Sequence, residues 1–133
     1  LIVVDSSVWI DHLRDRDTAE VACLRGLISD GLPPLLVGDL VLCEVLQGLA
    51  SDRQAALVEA ALRRFDVVDM VGPGIATRAA ALYRQLRGGG ITVRRTIDML
   101  IAAYCIENHH SLLHNDRDFD PLARHCGLRI FPA

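Results

Sequence analysis

The sequence predicts a three-layer α/β fold, a parallel sheet wrapped by helices on both faces, and three observations carry that prediction. Short apolar runs alternate with longer helical stretches along all 133 residues. The first run, Leu1-Ile2-Val3-Val4, is apolar and largely β-branched without alternation, the pattern of a strand buried on both faces. Hydrophobic residues make up 51% of the chain and mean hydropathy is +0.28, as expected if the sheet is covered on both sides or apolar surface is kept for a partner.

The elements follow in order. After strand 1–4 come helices over 7–14 and 18–30, the second capped by Thr18 and ended by Gly31 and Pro33-Pro34. Strand 34–37 (PLLV) leads into helices 40–50 and 52–64, separated near Gly48 to Ser51. Strand 66–69 (DVVD) precedes a helix over 74–87 with apolar spacing at Ile75, Ala79 and Leu82. That helix closes on Gly88-Gly89-Gly90, which reads as a flexible stretch in front of Arg94-Arg95. Helix 97–108, strand 111–114, a short helix from Pro121 and strand 128–131 complete the series. Asp39 reads as a helix N-cap, and so does Asp120, with proline at the first helical position. Length, with no internal repeat or low-complexity linker, sets the expectation of a single domain over 1–133.

Composition narrows the function classes. No apolar run approaches the roughly 18 residues of a membrane span. The opening residues lack the pattern of an export leader, and Cys23, Cys43, Cys105 and Cys126 are scattered without a CxxC pair. Both features predict a cytoplasmic protein with reduced thiols and argue against zinc. His109, His110 and His114 read as a solvated helix end rather than as ligands. All 14 basic residues are arginine, and the net charge is −3. Such a chain is a poor general nucleic-acid binder, but it can hold phosphates locally through arginine forks or through metal ions.

The opening strand ends on Asp5, where chemistry gathers in such sheets: outside the carboxyl ends of the strands. Asn115-Asp116 follows strand "SLLH" at the same edge. Glu44 sits about one turn into the apolar helix "GDLVLCEVLQG", and Asp98 is the sole charge within "TIDMLIAAYC". Each also has a structural reading. Asp5 can cap the following helix, and Asp116 can be a turn residue. Asp98 can favour a helix N-terminus capped by Thr96, and Glu44 can share a polar stripe with Gln47. Four such coincidences at one sheet edge are less economical than a site. Asp11, Asp15 and Asp17 read as a solvated stretch, and Asp118 either joins the group or flanks it. Four carboxylates at one edge repel one another unless a hard divalent cation, Mg²⁺ or Mn²⁺, is held between them. Such an ion suits hydrolysis of a phosphodiester.

In order and spacing, "VVDSSVWID", "EVLQG", "TIDMLIAA" and "LLHNDRDFD" resemble the four signature blocks of PIN-domain nucleases. Within that family the blocks and the chain length resemble the small VapC toxins of type II toxin–antitoxin systems. The resemblance implies a PIN-like α/β/α domain and a catalytic quartet of Asp5, Glu44, Asp98 and Asp116. Asp5, Asp98 and Asp116 would hold the metal, with Glu44 assisting through a bound water or a second ion. Asn115 stands where many relatives carry Thr or Ser, and Asp118 matches a further acidic position. Ser6, or Ser7, matches a hydroxyl that supports the first aspartate. The resemblance further implies a Mg²⁺- or Mn²⁺-dependent endoribonuclease acting on structured RNA, tRNA above all, and leaving 5′-phosphate and 3′-hydroxyl ends. It implies a homodimer blocked by a cognate antitoxin protein.

Arg94 and Arg95 are candidates for contacts to substrate phosphates or for a solvated loop, and Arg117 for either phosphate or acid pairing. Trp9 reads as a core or interface residue. Competing classes fit less well. A receiver-type phosphoacceptor uses a lysine, and a dinucleotide binder needs a glycine-rich first turn; neither is present. A non-catalytic PIN-like binding module and a PIN nuclease in RNA processing stay open as alternatives.

Overall fold

The apolar opening of the chain forms β1 (Ile2–Val4), the middle strand of the sheet, and all three of its residues are buried. The structure is a computed structural model and describes residues 1–132. From β1 the chain runs through α1 (Ser6–Leu13) and α2 (Ala19–Asp30) to β2 (Leu35–Gly38), then through α3 (Asp39–Gln47) and α4 (Asp52–Leu62) to β3 (Asp66–Val68). Two longer helices, α5 (Pro73–Gly88) and α6 (Thr96–Glu107), lead to β4 (Ser111–Leu113). A 3₁₀ turn over Arg117–Phe119, then α7 (Asp120–His125), precedes β5 (Arg129–Ile130).

The sheet has five strands in the order β3-β2-β1-β4-β5, all parallel. Ile2 pairs with Leu35 on one side and with Ser111 on the other. The chain therefore grows outward from β1 to β3, then returns past β1 to lay down β4. Right-handed crossovers put α1 to α4 on one face and α5 to α7 on the other. The packing agrees: α1 lies against α2 and α3, and α5 lies along α6. The change of direction between β1 and β4 is a topological switch point, where a crevice opens at the carboxyl edge.

Local sequence explains most of the boundaries. Thr18 caps α2 by accepting a hydrogen bond from the Val21 amide at 3.1 Å, and Gly31 ends it in the left-handed conformation at φ 72°. In α6, Ile101, Ala102, Ala103 and Cys105 are all fully buried, so this helix is apolar nearly all round and forms the centre of its layer. Burial pushes the Cys105 thiol up to about 12, which leaves it a protonated core group.

The N-caps of α3 and α7 differ from the sequence expectation. Gly38 is the cap of α3, and Asp39 is its first residue. Its Oδ1 accepts from the Leu40 amide at 2.8 Å and from the distant Met70 amide at 3.0 Å, tying α3 to the segment after β3. Phe119 occupies the cap position of α7, with Asp120 first in the helix, because the preceding 3₁₀ turn already has a helical backbone at Phe119. Helix α5 runs through Gly88, so the first of the three glycines is helical rather than loop. Among the described residues, no helix is long and apolar enough to cross a membrane.

Candidate active site

Asp5 leaves β1 with its amide donating to Leu113 O of β4 at 2.9 Å and its side chain capping α1. Oδ2 accepts from the Ser7 amide at 3.1 Å and from Ser7 Oγ at 2.6 Å. Among the described residues Oδ1 has no hydrogen-bond partner, although the residue is only 2% exposed. Burial raises the Asp5 pKa; the bonds from Ser7 and Ser6 pull it down, and the charge of Asp116 raises it further. An unpaired buried carboxylate oxygen is costly in protein alone and is a natural cation ligand.

Ser7 also accepts from the Asn115 amide at 3.0 Å, so one hydroxyl links the ends of β1 and β4. Asn115 Nδ2 donates to Asp11 Oδ2 at 3.3 Å, which brings Asp11 beside the site rather than into a fully solvated stretch. The hydroxyl that supports the first aspartate is therefore that of Ser7. Ser6 instead donates to Glu44 Oε1 at 3.1 Å. Helix α3 starts at the carboxyl edge because it follows β2, and this carries Glu44 to the same crevice. The Glu44 pKa is raised by burial first and then by the Asp5 charge, while Arg95 draws it down.

Helix α6 runs back toward the amino end of the sheet before β4, so its first turn lies at the carboxyl edge. Asp98 sits there, 1% exposed. Burial pushes its carboxyl up to about 6; Arg95 opposes this, and the charges of Asp5 and Asp116 reinforce it. Arg95, not Thr96, occupies the N-cap position of α6 and makes no capping bond. Its guanidinium donates from Nε to Asp98 Oδ2 at 3.1 Å and from Nη2 to Asp116 Oδ2 at 2.7 Å. Asp116 combines a turn role with a place in the cluster: its Oδ1 accepts from the Asp118 amide at 2.9 Å, starting the 3₁₀ turn. Its amide donates to His114 Nδ1 at 3.1 Å, and the His114 ring rests on Phe119 with centroids 5.0 Å apart. Arg94 Nη2 lies 3.6 Å from Asp118 Oδ1.

Asp98, Asp116 and Asp118 each offer a ligand atom, and these atoms lie within 4.8 Å of one another. An all-oxygen donor set of this size fits a hard divalent cation. Asp5 is not one of this trio, but it contributes the unpaired Oδ1, and its charge is felt at Asp98 and Glu44. Trp9 is a core residue, 3% exposed and tilted against Phe65 with ring centroids 5.6 Å apart. Arg117 is exposed on the 3₁₀ turn.

Sequence patterns did not reveal three features: the double role of Ser7, the nearness of Asp11, and Arg95 lying between two acids. All depend on contacts across 21 to 108 residues of chain. The pairing of Arg95 with Asp98 at i,i+3 was the one local clue.

The switch-point crevice of this parallel sheet gathers acids from β1, α3, α6 and the end of β4, and the chain belongs to the PIN domain family, whose model matches residues 2–125. Within it the chain sits with the VapC proteins. It is 31% identical over 130 residues to ribonuclease VapC11 of Mycobacterium tuberculosis, spanning 97% of this chain and 96% of that one. Among solved structures, the VapBC2 complex of Rickettsia felis bound to a promoter DNA fragment superposes with a TM-score of 0.76 at 16% identity, covering 97% of this chain and 96% of that chain. VapC20 of Mycobacterium tuberculosis, a toxin that cleaves the sarcin–ricin loop, gives a TM-score of 0.66 at 20% identity, with 91% and 94% covered.

Proposed function

We propose that this chain is the toxin of a VapC-type toxin–antitoxin pair and acts, as one domain, as a metal-dependent endoribonuclease in the cytoplasm. The observation that carries the reading is the convergence of Asp98, Asp116 and Asp118 at the switch point, beside the unpaired Oδ1 of Asp5. Asp5, Asp98 and Asp116 would hold Mg²⁺ or Mn²⁺, and Asp118 and Glu44 would complete its surroundings. A bound ion of this kind would make water more acidic and offset the charge of a phosphodiester.

The remaining work falls to side chains. Ser7 fixes Asp5 in one rotamer and holds the β4 loop against it. Ser6 steadies Glu44, whose carboxyl is raised by burial and by the Asp5 charge and so takes up a proton more readily than an ordinary glutamate. Asn115 offers an amide beside the crevice for a water or a phosphate oxygen. Arg94, exposed at its rim, meets the RNA backbone. Water attack that expels the 3′ oxygen leaves 5′-phosphate and 3′-hydroxyl ends.

Two partners complete the proposal. A cognate antitoxin covers the site, as supported by the structural likeness to the VapBC complexes. A second copy of the chain forms a homodimer, to which the apolar groove between α5 and α6 offers surface from Ala76, Ala80, Tyr83 and Leu100. The RNA is structured, with tRNA as the first candidate; the sarcin–ricin loop, which VapC20 cleaves, is the second. The test is to incubate antitoxin-free protein with purified tRNA and, separately, with ribosomal RNA, in Mn²⁺, and to map fragment ends. Discrete tRNA fragments with 5′-phosphates support the full reading. Ribosomal fragments alone replace the substrate. A folded, metal-binding protein that cuts neither RNA overturns the nuclease reading in favour of a binding module.

A further inference from the structure

Arg95 is the residue of this crevice that the chemistry above leaves without a task. Its side chain is 54% exposed, yet it reaches inward to Asp98, whose side chain is 2% exposed, and sideways to Asp116, 21 residues further along the chain. Each carboxylate gives it a single oxygen, Oδ2 in both cases. These are two of the three acids whose ligand atoms lie within 4.8 Å of one another. One guanidinium thus bridges the carboxylates best placed to share a cation. It brings one positive charge where a divalent ion would bring two. It is also tethered at the mouth, on the extended residue that precedes α6, at φ −117° and ψ 128°. Nothing buries its outer half, so it can leave the acids without disturbing the core.

We propose that Arg95 is a built-in counter-ion that competes with the divalent metal for Asp98 and Asp116 and, once displaced, swings to the substrate phosphate. The proposal rests on the metal-dependent reading above and adds to it a residue with two positions. Held between the acids, the guanidinium offsets their mutual repulsion and keeps them converged. Exchange for a divalent ion frees its planar fork of donors at the rim, where phosphate oxygens accept bidentate bonds better than carboxylates already committed to metal. Linkage makes the exchange reciprocal: what weakens the arginine's hold strengthens the metal's. Arg94, on the same loop, lies 3.6 Å from Asp118 and bridges no pair of acids. It therefore serves as the comparison for bulk charge.

The experiment titrates Mn²⁺ into the purified full chain by calorimetry, with free Mn²⁺ followed by electron paramagnetic resonance. Wild type, Arg95→Gln, Arg95→Lys and Arg94→Gln are compared. Arg95→Gln is expected to bind Mn²⁺ tighter by on the order of tenfold. Arg94→Gln is expected to change by at most about threefold, as for an exposed charge. Arg95→Lys, which keeps the charge but loses the fork, falls nearer Arg95→Gln. At saturating Mn²⁺, Arg95→Gln has a raised KM for RNA, because the displaced arginine no longer meets phosphate. Equal Mn²⁺ affinity in wild type and Arg95→Gln overturns the competition, and an unchanged KM overturns the second position. Wild type that binds no Mn²⁺ brings down the metal reading itself and the proposal with it, a result distinct from either.

Discussion

Asp98→Asn keeps the shape of a side chain that is almost wholly buried and removes its charge. The carboxyl is raised from its ordinary 3.8 to about 6 in the fold, by burial that Arg95 only partly offsets. Ionising Asp98 in the folded chain is therefore about 3 kcal/mol less favourable than in the open chain. Below 3.8 both states are protonated and the aspartate costs nothing. Between 3.8 and about 6 the unfolded chain loses its proton while the folded chain keeps it, so stability falls as pH rises; above that the loss is complete. Asparagine does not titrate and escapes the loss. In EDTA the variant is thus expected to match wild type near the acid end of this window and to exceed it by up to about 3 kcal/mol above about pH 7. Urea denaturation of both proteins across the window measures the difference. A variant less stable than wild type at neutral pH in EDTA, or a difference that does not change with pH, refutes the reasoning. Excess Mn²⁺ narrows or reverses the difference, since wild type, with all its acids, gains more from binding than the variant.

Other perturbations test other links. Ser7→Ala removes the donor at 2.6 Å from Asp5 Oδ2 and the acceptor of the Asn115 amide. It is expected to cost about 1–3 kcal/mol in denaturation and to slow RNA cleavage; an unchanged stability contradicts the clamp. A Cβ on Gly38 runs into the buried Met70 Sδ, so Gly38→Ala is expected to destabilise by about 1–3 kcal/mol. Adding Met70→Ala recovers part of that loss in a double-mutant cycle. In the pH dependence of kcat/KM, activity rises as pH climbs through the raised pKa values of Asp98, Asp5 and Glu44, because protons compete with metal for the same oxygens. Raising Mn²⁺ moves that limb to lower pH, and a limb that stays fixed argues that these acids do not bind the ion.

How much was legible in the sequence depended on distance along the chain. Every strand and α-helix was visible, though not the 3₁₀ turn at Arg117–Phe119, because an apolar run such as Ile2–Val4 and a cap such as Thr18 act over a few residues. The converging acids were visible too, since position after a strand or within a first turn fixes which sheet edge a residue joins. What escaped were side-chain partners brought together by the crossover. Asp39 reads as a cap by local rules, yet its carboxylate reaches Met70, 31 residues away. The role of Ser7 depends on Asn115, 108 residues away. Arg95 comes after three glycines and reads as a phosphate contact or a solvated loop, while its two partners lie on different elements. A neutral-looking pair such as Ser6-Ser7 has one member facing Glu44 and the other Asp5, a division that only helical geometry resolves.

Whether the acids at the β1–β4 switch point make a metal-dependent ribonuclease is tested most directly on RNA itself. A labelled structured RNA is incubated with wild type and with Asp98→Asn, each in Mn²⁺ and in EDTA, with folding of both proteins confirmed by circular dichroism. Cleavage is expected from wild type in Mn²⁺ alone, with none in EDTA and none by the variant under either condition. Cleavage that persists in EDTA, or in the purified variant, contradicts the metal-dependent mechanism.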